Sequence, residues 1–166
     1  SSGRLGHEWY NTLGYIPYDV DVNENVARTL EYAYNDWCIL QMAKKLGRPA
    51  EEIEKWEKRS QNWKNVFDHS TNLMRGRNKD GKFQEPFSPY KWGDAYTEGN
   101  AWHYTWSVFH DVDGLIDEMG GEETFAKMLD SVFVVPPIYD DSYYNFRIHE
   151  ITEMQVANMG NYAHGN

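Results

Sequence analysis

The chain has a single cysteine, Cys38, so it can hold neither an intramolecular disulfide nor a cysteine zinc cluster, and its redox compartment stays open. Basic residues are scarce. The 16 Lys and Arg against 26 Asp and Glu leave a net charge of -10. Nucleic acid and anionic membrane surfaces both need a basic face, so neither is an expected partner. No apolar run approaches the roughly 20 residues of a membrane-spanning helix. No signal peptide is visible and no Asn-x-Ser/Thr sequon occurs. Walker and GxGxxG patterns, a serine nucleophile elbow and His-Glu-x-x-His are all missing, so no familiar signature of phosphate-cradling, serine-hydrolase or zinc-peptidase chemistry is present. Strand-like alternation is missing too. Only Tyr15-Ile16-Pro17 reads as extended, and Pro17 demotes it.

What the chain has in quantity is aromatic side chains, 16% of the sequence with 7 Trp and 12 Tyr, which suits a binding cleft with flat walls. Its 166 residues are enough for one domain with a core. The pattern is helical almost throughout. Val26, Leu30, Ala33, Trp37, Leu40 and Leu46 predict a helix over 25–46, stopped by Gly47. Pro49 opens a second, whose stripe of Ile53, Trp56, Trp63 and Phe67 carries it to Phe67. Residues 68–97 contain Asn78-Lys79-Asp80-Gly81, Pro86 and Pro89 and read as a long ordered loop, a feature usually tied to function. Further helices are expected from Glu98 to Phe109, from an Asp111 cap through Met119, over 122–133, and near 148–159. Hairpins joined alternately by short and long connections give the expected fold class: all-α, a partial (α/α)6 toroid whose long loops build one face. At roughly 50 to 60 residues per hairpin this is about half a ring, and its open edges leave self-association through exposed helix faces possible.

Chemistry is concentrated in Asp94-Ala95-Tyr96-Thr97-Glu98-Gly99-Asn100-Ala101-Trp102-His103-Tyr104-Thr105-Trp106. A carboxylic acid among apolar rings is held protonated by desolvation, which is what a general acid at a sugar-cleaving site requires. The other reading of the same residues is a helix start, with Thr97 as N-cap, Glu98 in the first turn, and Trp102 and Trp106 as core. Asp19-x-Asp21-x-Asn23 begins like an EF-hand loop but has Glu24 at the glycine position and Leu30 at the bidentate position, so it reads as a helix cap. His149, Glu150 and Glu153 are close together, and the two glutamates share a face if helical. They could bind a hard cation, hold sugar hydroxyls or simply be solvated. The stretch from Asn158 to Asn166 could offer backbone carbonyls to Ca²⁺ or be a tail.

Several stretches together resemble the catalytic domain of glycoside hydrolase family 92, the calcium-dependent exo-α-mannosidases. They are Thr29-Leu30-Glu31-Tyr32-Ala33-Tyr34-Asn35-Asp36-Trp37-Cys38, Arg59-Ser60-Gln61-Asn62-Trp63-Lys64-Asn65-Val66-Phe67-Asp68, Met74-Arg75-Gly76-Arg77-Asn78 and Thr97-Glu98-Gly99-Asn100-Ala101-Trp102. His110-Asp111-Val112, Gly114-Leu115-Ile116, Met119-Gly120-Gly121 and Tyr162-Ala163-His164-Gly165-Asn166 follow in order. The resemblance implies hydrolysis of terminal α-mannosides with inversion, Glu98 as general acid and Ca²⁺ holding the sugar. It places Glu153 and Asn166 near the ion. It places His149 and Glu150 on the leaving sugar of an α-1,2 linkage. Mannose-containing glycans are the implied partners, and the periplasm or the cell exterior the implied location. The resemblance also implies that 1–166 is a single segment of the catalytic domain, without the family's preceding β-sandwich and the following acidic pair that supplies the general base. Such a segment is expected to be inactive alone. A non-catalytic carbohydrate-binding helical module, and an interaction domain using exposed apolar edges, are the alternatives.

Overall fold

A computed structural model describes residues 3–135, 138 and 140–144. The first element is one the sequence pattern did not predict. Helix α1, His7–Leu13, lies between two left-handed glycines, Gly6 and Gly14, and buries only Tyr10, so it has no apolar stripe to announce it. Helix α2, Asn25–Lys45, follows its predicted stripe, burying Val26, Leu30, Ala33 and Leu40, and ends on Lys44 and Lys45 before the left-handed Gly47. Its N-terminus differs from expectation. Glu24 occupies the N-cap in the left-handed region with no side-chain cap, and Asp19 instead accepts the backbone N–H of Lys79 at 2.8 Å. The free N–H groups of Val26 and Ala27 donate to the carbonyl of Ala95, at 3.1 and 3.2 Å, so a distant loop caps this helix.

Helix α3, Ala50–Ser60, packs back along α2. It has Pro49 at its start, Glu51 and Glu52 in its first turn, and Lys58 and Arg59 in its last, each where the helix dipole favours it. The expected continuation to Phe67 does not form. A tighter 3-10 turn, Asn62–Val66, buries Trp63 and Val66 completely, and the chain then extends into strand β1, Phe67–Asp68. This strand pairs antiparallel with β2, Leu73–Met74. Pairing with β2 requires extended backbone, which overrides the helical pattern. Strands this short show no period-2 signal in sequence. The expected loop over 68–97 therefore begins with a strand pair; beyond β2 it is an ordered loop, stitched by Arg77↔Phe83 pairing, by Tyr18 N–H to the Arg77 carbonyl at 2.8 Å, and by Tyr96 Oη to the Met74 carbonyl at 2.7 Å.

The helix expected from Glu98 to Phe109 shrinks to α4, Ala101–Tyr104. Buried Thr105 ends it. Its hydroxyl donates back to the Ala101 carbonyl at 2.7 Å and accepts the Met74 N–H at 2.9 Å, so it joins the strand pair rather than the next helical turn. Helix α5, Val112–Glu118, and helix α6, Glu122–Val134, lie where predicted, and Asp111 caps α5 by accepting the Gly114 N–H at 3.2 Å. About half of the described residues are therefore helical, around a main core that joins α2, the 3-10 turn, the strand pair and α5 through Leu30, Trp63, Phe67, Met74 and Leu115, with a smaller cluster of Tyr10, Ile16 and Tyr32 beside it.

Asp111 does more than cap. Its Oδ2 also accepts Gln61 Nε2 at 2.9 Å and the buried Trp63 indole N–H at 3.2 Å. Asp111→Ala is expected to destabilise the fold by about 2 kcal/mol, a lost cap plus an unmet buried donor. Urea unfolding checks this, with Asp111→Asn expected to recover most of the loss.

Candidate active-site loop

The loop carrying Glu98 is pinned at nearly every peptide. On the entry side, Glu24 N–H donates to the Asp94 carbonyl at 2.8 Å, beside the Ala95 carbonyl that caps α2. The Asp94 carboxylate accepts Tyr18 Oη and Lys91 Nζ, both at 2.6 Å. Burial, and then the Asp94 carboxylate, push the Tyr18 phenol well above its ordinary range, so it stays a donor at neutral pH. Trp92 is buried, donates its backbone N–H to the Asp140 carbonyl at 2.8 Å, and meets the His103 ring edge-on at 5.6 Å. Burial raises the Asp140 carboxyl, but hydrogen bonds from Ser142 and Ser88 and the Lys91 charge outweigh it and hold that carboxyl below its ordinary value. Tyr143 and Tyr144 press on Gly93, where a Cβ would lie 2.8 Å from Tyr144; with φ at 80° only glycine fits.

On the exit side, Asn100 makes a capping box with His103. Its Oδ1 accepts the N–H groups of Trp102 and His103, and its own N–H donates to His103 Nδ1 at 3.0 Å. The residues on either side of Glu98 are held by their carbonyls. Tyr104 Oη donates to Thr97 at 2.8 Å, and Gly93 N–H donates to Gly99 at 2.9 Å. Burial pushes the Tyr104 phenol up, so that donor also keeps its proton.

Glu98 itself stands in the left-handed region, with φ at 47°, and Asp94 does the same with φ at 61°. Each such non-glycine residue costs on the order of 1 kcal/mol, and such strain clusters where a side chain must be aimed. The helix-start reading is corrected here: Asn100, not Thr97, is the cap, and Glu98 lies before the helix. The expected burial of Glu98 among rings is corrected as well, because its side chain is exposed. Trp102 and Trp106 are only partly buried, packed on the core edge. His149, Glu150, Glu153 and Asn166 lie outside the described residues, and among the described residues no cluster of His, Cys, Asp or Glu could hold a metal ion. The positioning residues Tyr18, Lys91, Asp94, His103 and Tyr104 were not predicted. Only the Asn100-x-x-His103 spacing, a variant of the capping-box pattern, was readable in sequence.

The loop thus presents an exposed carboxylate on strained backbone, braced by the partly buried Tyr18 and Tyr104. Residues 1–166 match the family described as the Glycosyl hydrolase family 92 catalytic domain. The chain belongs to that family. It is 45% identical to a family GH92 inverting mannosidase from Bacteroides thetaiotaomicron, with a TM-score of 0.78 over 99% of this chain and 22% of the other. A GH92 α-mannosidase from the same organism, solved in complex with mannoimidazole, is 39% identical, with a TM-score of 0.73 over 81% of this chain and 18% of its own. An uncharacterized secreted glycosidase of Arthroderma benhamiae is 31% identical over 77% of this chain and 20% of its length. The family 92 chain thus spans about a fifth of the length of these relatives. No helix among its described residues is long and apolar enough to cross a membrane.

Proposed function

We propose that this segment supplies the general acid of an exo-α-mannosidase that cleaves terminal α-1,2-linked mannose with inversion. The observation that carries the proposal is the Glu98 loop, strained at two non-glycine positions and pinned on both sides of the carboxylate, in a chain of family 92. Glu98 protonates the departing glycosidic oxygen. A base outside this segment activates water on the opposite face of the ring, with the two carboxyls roughly 6.5–9.5 Å apart to admit that water. His149 and Glu150 hold the leaving sugar, which sets the linkage. The segment forms part of an α/α toroid, and the whole enzyme works outside the cytoplasm, where glycans are met.

Glu153 and Asn166 offer a carboxylate and an amide carbonyl, hard oxygen donors of the kind Ca²⁺ takes. They fit the ion by donor chemistry. When bound, Ca²⁺ supplies a Lewis-acidic anchor for sugar hydroxyls. This reading is tested by mannose release from α-1,2-mannobiose by the intact protein carrying this segment, with Ca²⁺ and then with a chelator. Release that stops on chelation and returns with added Ca²⁺ is expected. No release in either condition would leave a carbohydrate-binding module as the better account.

A further inference from the structure

A cavity of about 280 Å³ lies between α2 and the segment after α4, lined by Leu30, Glu31, Tyr34, Ser107 and Phe109. Buried Leu30 forms its floor. Two rings form a corner above it. Tyr34 and Phe109 are 36% and 58% exposed, with planes at 87° and centroids 6.4 Å apart. The Tyr34 ring is braced by stacking on Trp37 at 5.9 Å and by the His110 ring at 5.9 Å, while His110 Nε2 lies 2.8 Å from the Ser60 carbonyl. A braced ring costs little entropy when a ligand stacks on it. Polar groups complete the lining. Neither the Glu31 carboxylate nor the Ser107 hydroxyl has a hydrogen bond or ion pair among the described residues.

These groups fit one class of ligand. A pyranose has an apolar C–H face for a ring wall and a hydroxyl edge for a carboxylate and a hydroxyl. The small volume suits a single ring rather than a helix from a partner chain. A carboxylate at the edge favours a neutral polyol over an anion. The cavity also neighbours the Glu98 loop. Ser107 N–H donates to the Tyr104 carbonyl at 3.0 Å, the Tyr104 phenol donates to Thr97 at 2.8 Å, and the Glu31 charge acts on that phenol.

We propose that Glu31, Tyr34, Ser107 and Phe109 form a secondary sugar subsite, which holds a pyranose of the glycan other than the one whose bond Glu98 cleaves. This rests on the glycan reading of the Glu98 loop. The test is titration of the intact protein carrying this segment with α-1,2-mannobiose, and in parallel with cellobiose, following the Tyr34 and Phe109 ring resonances by NMR. A saturable shift with mannobiose is expected. Tyr34→Ala and Phe109→Ala are expected to weaken it about tenfold or more, and Glu31→Gln severalfold, the last with an unchanged melting temperature because Glu31 is exposed and unbonded. Glu98→Gln is expected to leave it unchanged. A shift with cellobiose alone would support the subsite and overturn the mannose reading. No saturable shift with either sugar, or a shift undiminished in Tyr34→Ala and Glu31→Gln, would overturn the subsite.

Discussion

If the proposed role is right, Glu98→Gln in the intact protein carrying this segment is expected to lower kcat on α-1,2-mannobiose by about 10²–10⁴-fold, with KM little changed. Glutamine keeps the shape and a hydrogen-bond donor but has no proton to give. The loss should therefore depend on the leaving group. An aryl mannoside with an acidic phenol departs without protonation and should lose far less. The limb of the pH–rate profile that reports the acid should also vanish. Equal loss on both substrates would assign Glu98 to binding rather than proton transfer. A second consequence comes from the backbone. Because Glu98 has φ at 47°, Glu98→Gly removes Cβ strain and is expected to raise the unfolding free energy by up to about 1 kcal/mol while abolishing turnover. A stabilised but inactive variant is what a residue held in strain for function produces. A destabilised one would show that the side chain supports the loop.

How much of this was readable in sequence depends on the range of the interactions. Helices α2, α5 and α6 were legible because their stripes, caps and terminal charges are local. Helix α1 was not, because one buried tyrosine makes no periodicity. The end of α3 and the shortening of α4 were hidden for a shared reason. Both are set by the strand pair, which forms across a turn and recruits Thr105 from 31 residues away. Glu98 stands out in sequence as the candidate acid because of its neighbours, but those neighbours misled about its surroundings. Tyr96, Trp102 and Tyr104 are adjacent in sequence, yet the left-handed turn at Glu98 aims its side chain to solvent while the rings pack toward the core. The loop's bracing from Tyr18 and Glu24 could not be read, since nothing local in those residues points to Asp94.

The strand pair is also where the fold is most exposed to a single change. Arg75 is buried, and its guanidinium reaches Asp68 Oδ2 at 2.8 Å, the Gln84 carbonyl at 3.0 and 2.6 Å, and the Glu85 carboxylate, while lying 4.6 Å over the Phe87 ring. Asp68 is buried with it and also accepts the N–H and hydroxyl of Ser70. Arg75→Ala is expected to cost about 3–5 kcal/mol, because it strands the Asp68 charge out of water and leaves the Gln84 carbonyl unmet. Arg75→Met with Asp68→Asn should recover a large part of that loss. If the double variant is no better than Arg75→Ala, lost packing on Phe87 rather than the stranded charge is the cause. The pair also sets an acid limit. Burial raises the Asp68 carboxyl, but hydrogen bonds from Ser70 and Arg75 outweigh it and hold it below its ordinary value. A depressed folded value means the contribution is complete above the unfolded value of about 4 and is lost as pH falls through the folded one. Asp68→Asn should therefore flatten the acid side of a stability–pH curve measured by denaturant unfolding. The effect reaches the Glu98 loop, since Tyr96 donates to the carbonyl of Met74, the residue next to Arg75. Loss of Arg75 should loosen the Glu98 loop before the whole chain unfolds, so amide exchange at Tyr96 and Thr97 should quicken more than exchange in the middle of α2.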